Sequence, residues 1–182
     1  TVSLSGDSGS GEVSSPTEDD VALILHTSGS TGRPKRVPLR HRNLTRSARN
    51  VADCYSLRSE DVSLGVMPLF HIHGIVASML ATFHSGGTVV LPQKFNPLAF
   101  WRVAAEHGVT WYTAVPTIHK LLLSRTEASG KKPAGAGRLR FIRSCSAPLA
   151  PDILERLESA FEVPVLEAYG MTEAAHQMSS NP

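Results

Sequence analysis

The feature that most constrains the fold of this 182-residue chain is an alternation of short apolar runs with segments of helical periodicity. The apolar runs have the length of buried strands, and the segments between them repeat apolar residues at helical spacing. The predicted strands are residues 21–26, 37–39, 62–67, 88–91, 109–114, 139–143 and 163–168. The predicted helices are residues 43–55, 72–84, 97–107, 116–125 and 151–161, and residues 127–137 are predicted to form a flexible loop.

This alternation predicts an α/β fold with a mostly parallel sheet and helices on both faces, because parallel strands need crossover connections. Ligands bind such sheets beyond the carboxyl ends of the strands. Loops with unusual residues follow several predicted strands. They are residues 27–35, 68–73, 144–147 and 169–173. We therefore expect a functional site where these loops meet.

Charge and cysteine content narrow the possible partners and compartments. The formal net charge is +2, and the basic residues form no stripe interleaved with aromatics, which argues against nucleic acid as a partner. Cys54 and Cys145 are far apart and outside any CxxC, so we expect reduced thiols. No apolar run approaches the roughly 18–20 residues that span a bilayer. We expect a cytoplasmic protein without a membrane span, with the peroxisome as the alternative if the source is eukaryotic.

The first part of the chain differs in composition from the rest. Residues 1–20 are rich in Ser, Gly and acidic residues and are predicted to form a flexible linker or surface loop. Residues 21–182 hold all of the predicted strands and helices, and form the expected domain.

The loop after the first predicted strand has the chemistry of a phosphate site. Its glycines allow close approach of a polyanion, its hydroxyls donate hydrogen bonds, and its lysine adds a positive charge. The residues are Thr27, Ser28, Gly29, Ser30, Thr31, Gly32 and Lys35. The Walker spacing GxxxxGK[ST] and the dinucleotide pattern GxGxxG are both absent. The alternative interpretation is a polar turn between two strands.

Residues 27–35 (TSGSTGRPK) resemble the phosphate-binding signature of the adenylate-forming, or AMP-binding, superfamily. That group includes acyl-CoA synthetases, luciferases and peptide-synthetase adenylation domains. Residues 169–173 (YGMTE) resemble its second signature, in a similar order and at a similar separation. The resemblance implies part of the large N-terminal domain of such an enzyme, and ATP, Mg²⁺ and coenzyme A as its cofactor and co-substrates.

The resemblance also implies roles for individual residues. Tyr169 would pack on adenine, Thr172 would bind phosphate and Glu173 would hold Mg²⁺, so the implied catalytic residues are Lys35, Thr172 and Glu173. Four more residues match positions around the nucleotide: Ser146, Ala147, Glu167 and Ala168. The family has glycine where this chain has Cys145, a departure expected to narrow the loop. Taken alone, Glu173 would be read as a solvated surface carboxylate.

Residues 68–74 (PLFHIHG) resemble a third family motif, which lies beside the acyl pocket. His71 and His73 are therefore candidates for that pocket, together with His176 and Ser146. From the residues alone, His71 and His73 could be two ordinary histidines or a metal pair, although a zinc site needs a third ligand.

Three further segments are similar to one subgroup of the family, the oxalate–CoA ligases. They are residues 111–119, 139–148 and 164–182. This similarity implies a small acid, oxalate, as the substrate. The second carboxylate of oxalate would be held by His71, Ser146 and His176, with His73 in reserve. Arg36 and Pro148 depart from the subgroup pattern.

Two other functions remain open at this point. The chain could be an adenylation domain that loads a carrier protein, or a catalytically silent nucleotide-binding module. The family's ribose-binding aspartate, hinge and C-terminal lysine have no counterparts in this sequence. We therefore expect the 182-residue chain to be a fragment that is inactive as a ligase by itself.

Overall fold

The computed structural model describes residues 15–27 and 34–181. Within these residues the strands form a two-stranded antiparallel sheet and a six-stranded sheet. The small sheet pairs β1 (Val21–Thr27) with β2 (Lys35–Arg40). The strands of the large sheet are β3 (Val62–Gly65), β4 (Thr88–Val90), β5 (Trp111–Ala114), β6 (Phe141–Ser144), β7 (Val165–Met171) and β8 (His176–Ser180).

The large sheet has the order β4-β3-β5-β6-β7-β8, and every pair except β7–β8 is parallel. The helices that connect or flank its strands are α1 (His41–Cys54), α2 (His73–Leu80 as a π-helix, continued by Ala81–His84 as an α-helix), α3 (Phe100–His107), α4 (Pro116–Ser129) and α5 (Pro151–Phe161). The predicted α/β class with a mostly parallel sheet is confirmed.

Helices cover both faces of the sheet, as predicted. Along β5, Tyr112 belongs to a core cluster with Phe100 of α3 and Leu122 of α4. The neighbouring Trp111 belongs instead to a cluster with Val51 of α1 and Ala81 of α2. Adjacent residues of a strand point to opposite faces, so this split places α1 and α2 on one face and α3 and α4 on the other.

Several predicted boundaries are wrong, for identifiable physical reasons. Helix α4 continues to Ser129 and ends at Gly130, whose left-handed φ of 63° suits a helix terminus. A short 3-10 helix, Ala134–Arg138, then occupies part of the predicted flexible loop. Strand β8 was not predicted, because its sequence HQMSS lacks both an apolar run and β-branched residues.

The predicted linker, residues 1–20, is described only from residue 15. Residues 17–20 form a turn in which Asp20 accepts hydrogen bonds from Thr17, and Asp19 pairs with Arg40 and Arg42 at the start of α1. In the described ranges, no helix is both long and apolar enough to cross a membrane.

Candidate functional site

Two adjoining clefts lie where the strands of the large sheet end. The larger, about 430 Å³, is lined by residues 146–148, 167–170 and 179–181. The smaller, about 350 Å³, is lined by Met67, His71, Ile72, His73, Val115, Ser146, Gly170, Met171, Thr172 and His176. Ser146 and Gly170 line both, so the two clefts share a wall. The loops after β3, β5, β6 and β7 thus meet at one edge of the sheet, which is where the sequence predicted a site.

The larger cleft collects the residues that were predicted to surround a nucleotide base. Ser146, Ala147, Glu167, Ala168 and Tyr169 all line it. The Tyr169 side chain is 61% exposed, which leaves an aromatic face available to a planar ligand. The Glu167 carboxylate accepts a hydrogen bond from the backbone N–H of Leu149 at 2.9 Å and so anchors the far end of the loop that begins at Ser146.

The turn after β6 differs from the expectation at Cys145. Its side chain is fully buried and lines neither cleft, and its backbone N–H donates to the carbonyl of Ala114 at 3.1 Å. The left-handed conformation falls instead on Ser146, with φ of 73°. Cysteine in place of glycine therefore does not narrow the cleft with its side chain, because that side chain faces the core.

The smaller cleft brings together the predicted acyl-pocket residues. Nδ1 of His73 lies 3.0 Å from Oγ of Ser146, and the rings of His73 and His176 stack with centroids 5.2 Å apart. His71 also lines the cleft, but it is exposed and its ring lies against Phe70. Of the two histidines in the motif, His73 is thus the buried one that contacts Ser146.

Two glycines allow these side chains to come together. A Cβ on Gly170 would collide with the carbonyl of His176, and a Cβ on Gly74 would collide with the carbonyls of Met67 and Pro68. His176 itself has φ of 106°, a costly conformation for a residue with a Cβ. Oγ of Ser47 donates to the carbonyl of the preceding residue, Ala175, at 2.6 Å, which ties this strained turn to α1.

A fully buried arginine, Arg143 of β6, lies behind the two histidines. Its nitrogen atoms contact Tyr55, His73, Thr113, His176 and Gln177. Sequence reasoning missed this residue as part of the site. The available signal was a charged residue inside a run that was predicted to be a buried strand, LRFIR.

Burial and this positive charge keep the two histidines neutral. Burial first, and then the charge of Arg143, lower the pKa of His176 to about 3. The same two causes, in the same order, hold the pKa of His73 well below its ordinary value. An imidazole can be cationic or neutral near pH 7. Both of these rings are therefore neutral, and each donates a hydrogen bond through one nitrogen.

The predicted phosphate-loop residues are only partly described. Ser28, Gly29, Ser30, Thr31 and Gly32 lie outside the described residues. The flanking Thr27 and Lys35 are cross-strand partners where β1 ends and β2 begins, and Lys35 is exposed. Strand β2, which begins at Lys35, packs against the short 3-10 helix Thr172–Ala174 of the second signature.

Thr172 and Glu173 face different clefts. Thr172 lines the smaller cleft beside the histidines. Glu173 is exposed and lines a third cleft of about 600 Å³ with Arg42, Asn43 and Arg46 of α1. In the described part of the chain, no three His, Cys, Asp or Glu side chains are grouped as metal ligands. A single exposed carboxylate suits Mg²⁺, which binds one or two carboxylates and completes its shell with phosphates and water.

Comparison with known proteins gives a match over nearly the whole chain. Residues 3–182 match the model of a family described as AMP-binding enzyme. The chain is 52% identical over 166 residues to an oxalate–CoA ligase of Arabidopsis thaliana, covering 90% of this chain and 32% of that protein. It is 50% identical over 162 residues to the oxalate–CoA ligase of Saccharomyces cerevisiae, covering 89% of this chain and 29% of that protein.

A solved structure also matches most of the chain. The ATP-bound crystal structure of MatB from Rhodopseudomonas palustris matches with a TM-score of 0.80 and 33% identity, over 91% of this chain and 32% of that one. The chain thus spans about a third of the length of the relatives it matches.

Proposed function

The chain belongs to the AMP-binding enzymes, and from that membership we propose that its parent protein activates a small dicarboxylic acid, oxalate, with ATP and passes the acyl group to coenzyme A. The observation that carries the proposal is the shared wall of the two clefts. Ser146 and Gly170 separate a cleft suited to a nucleotide from a cleft lined by hydrogen-bond donors. An acid in the smaller cleft would therefore lie next to a nucleotide in the larger one.

In the first step, a carboxylate oxygen of the acid attacks the α-phosphorus of ATP. The bond from that phosphorus to the pyrophosphate oxygen breaks, giving an acyl-adenylate and pyrophosphate. In this proposal Tyr169 packs on the adenine, while Lys35 and Thr172 contact phosphate oxygens. Glu173 would hold Mg²⁺, which would neutralise phosphate charge when bound. The role of these residues is positioning and electrostatic stabilisation, without a covalent intermediate on the protein.

In the second step, the thiol of coenzyme A attacks the acyl carbon and AMP leaves. The thioester forms as the bond between the acyl carbon and the AMP oxygen breaks, and the thiol proton is lost to solvent or a base. An acyl-adenylate that forms but is not discharged by coenzyme A would favour the alternative of a carrier-protein-loading domain.

The walls of the smaller cleft support oxalate as the acid. When one carboxylate of oxalate attacks phosphorus, the other stays charged and needs donors once water is excluded. Ser146 and His176 supply polar hydrogens there, His73 contacts Ser146, and a buried guanidinium lies behind the two histidines. An alkyl or aryl chain in the same place would cover these groups without satisfying them, which is costly.

Substitution in the full-length protein tests this assignment. We expect His176→Ala and Ser146→Ala to raise the KM for oxalate far more than the KM for ATP. His107→Ala is the control, because His107 is exposed at the end of α3 and lines neither cleft. A wild-type protein that ignores oxalate but activates a medium-chain or aromatic acid would end the oxalate assignment and leave adenylate formation intact.

A further inference from the structure

Arg143 is the most deeply buried charge in the described part of the chain. Its side chain is fully buried near the carboxyl end of β6, on the face of the sheet that carries α1 and α2. Nε donates to the Tyr55 hydroxyl at 2.9 Å, and Nη1 donates to Oγ1 of Thr113 at 3.0 Å. Nη2 donates to Oε1 of Gln177 at 2.9 Å and to Nε2 of His176 at 3.1 Å.

All of these acceptors are neutral. None of the ion pairs among residues 15–27 and 34–181 includes Arg143. An arginine side chain keeps its charge throughout the physiological range. A buried charge usually has an anionic partner, since hydrogen bonds to neutral groups offset only part of the cost of removing it from water. The side of Arg143 and its acceptors that faces the smaller cleft therefore carries a positive potential that no ion-pair partner among the described residues compensates.

The hydrogen bonds also fix where each histidine carries its proton. A guanidinium can only donate, so Nε2 of His176 must accept from Arg143 and the ring proton is on Nδ1. Nδ1 of His176 has no partner among the described residues, and the ring lines the smaller cleft. This nitrogen is therefore a free donor at the cleft.

The same reasoning applies to His73 through Thr113. Oγ1 of Thr113 accepts from Arg143, which leaves its own hydrogen for Nε2 of His73 at 2.6 Å. Nη1 of Arg143 also lies 3.5 Å from that Nε2, which favours a lone pair there. The proton of His73 is then on Nδ1, which donates to Oγ of Ser146 at 3.0 Å and frees the serine hydrogen for a ligand.

We infer that Arg143 is a positioning and specificity-determining residue, which holds His73 and His176 as Nδ1–H donors towards the cleft and makes the cleft select acids with a second negative charge. The inference rests on the proposed function. It gives the proposed function a physical source of selectivity. The cleft has two neutral hydrogen-bond donors, Nδ1–H of His176 and the Ser146 hydroxyl that His73 orients, with one buried positive charge behind them. An acid whose far end is neutral gains the donors but little from the charge.

Oxalate and oxamate provide the direct test, because they are nearly isosteric and only oxalate carries a charge at its far end. In the full-length protein we expect wild type to prefer oxalate. Arg143→Met should raise the KM for oxalate by about 10- to 100-fold, because the variant loses both the buried charge and the donors that it orients, and should change the KM for ATP little. The preference for oxalate over oxamate should fall, and Arg143→Lys should restore part of it.

Arg140→Met is the matched control. Arg140 lies three positions earlier in sequence, pairs with Asp61 and lines neither cleft. It should lower stability without changing the preference between the two acids. Equal losses with oxalate, oxamate and ATP in Arg143→Met would mean that Arg143 is only structural, and would overturn the inference.

A second readout needs no substitution. In ¹⁵N NMR spectra of the histidine-labelled wild-type protein, His73 and His176 should both appear as neutral rings with the proton on Nδ1. A doubly protonated ring, or a proton on Nε2 of either residue, would overturn the inference even if the Arg143 variants fail to fold. A wild-type protein that activates no dianionic acid would overturn the proposed function itself, whatever the NMR result.

Discussion

Gly170 lies so close to the backbone of His176 that a Cβ on it would overlap the His176 carbonyl oxygen. Gly170 pairs with Gln177 and His176 with Met171, next to an irregularity where the register of β7 and β8 shifts between Tyr169 and Gly170. This close approach turns the backbone after the second signature so that His176 returns to the cleft already bounded by Thr172. The geometry of the site thus depends on a position without a side chain.

Gly170→Ala should therefore damage both stability and substrate binding. Forcing the two strands apart should cost about 1–3 kcal/mol, as overpacking does elsewhere. We expect a lower Tm of the full-length protein and a higher KM for the acid. Gly137→Ala is the control, because a Cβ on Gly137 would meet no atom within 4 Å. Equal Tm values for Gly170→Ala and wild type would show that the close approach is not a constraint.

Lys35→Ala should weaken the use of ATP. Loss of a charged contact to phosphate is worth about 1.5–3 kcal/mol, or about 10- to 100-fold in the KM for ATP. Arg36→Ala provides the control, since adjacent residues of β2 point to opposite faces of the strand. The measurement is the KM for ATP of both variants, obtained from steady-state kinetics. If the two substitutions have the same effect, general charge rather than a specific contact is responsible.

Glu173→Gln should raise the Mg²⁺ concentration needed for half-maximal activity. A neutral amide is a weaker ligand for a hard cation than a carboxylate, while the size and shape of the side chain are kept. The measurement is a Mg²⁺ titration of activity at saturating ATP. Superimposable titration curves for wild type and variant would remove Glu173 from the metal site and leave it as a surface carboxylate.

Stability should depend on pH through a histidine outside the site. Burial lowers the pKa of His119 to about 4, and its ring contacts the Ala114 carbonyl and the Tyr112 hydroxyl. Because the folded pKa is below the unfolded value of 6.5, the unfolded state binds more protons as the pH falls. The stabilisation is complete above pH 6.5 and is lost between that value and about 4, by roughly 3 kcal/mol at most.

The measurement for His119 is the free energy of unfolding at several pH values between 7.5 and 4.5. In His119→Gln the unfolding free energy should change less steeply with pH, by the slope that corresponds to about one bound proton, since the amide does not titrate. The same slope in wild type and variant would mean that His119 is not held neutral by the fold.

Particular residues show how far the sequence could predict this structure. Helix α5 has the predicted bounds, Pro151–Phe161, because Pro151 suits a first helical turn and the apolar residues keep a regular spacing. The π-helical start of α2 could not be predicted, since an apolar pattern indicates a helix but not its hydrogen-bond register. Strand β8 exists because β7 offers it an edge to pair with, and its own sequence carries no strand pattern.

The residues of the candidate site also differ in whether the sequence could predict them. Ser146, Tyr169, Thr172 and His176 could be identified from motifs that stand next to predicted strand ends. The role proposed for Arg143 could not, because its partners come from the residue that follows α1 and from α2, β5 and β8, and meet only in the folded chain. The choice of His73 over His71 as the partner of Ser146 also needed the three-dimensional positions.

Exchange of labelled pyrophosphate into ATP shows whether the parent protein joins a small dicarboxylic acid to the α-phosphate of ATP. The full-length protein should be assayed without coenzyme A, so that only adenylate formation and its reversal are observed. We predict exchange that requires both oxalate and Mg²⁺ and that is strongly reduced in Lys35→Ala. Binding of ATP without exchange in the presence of oxalate or any other carboxylic acid would contradict the account.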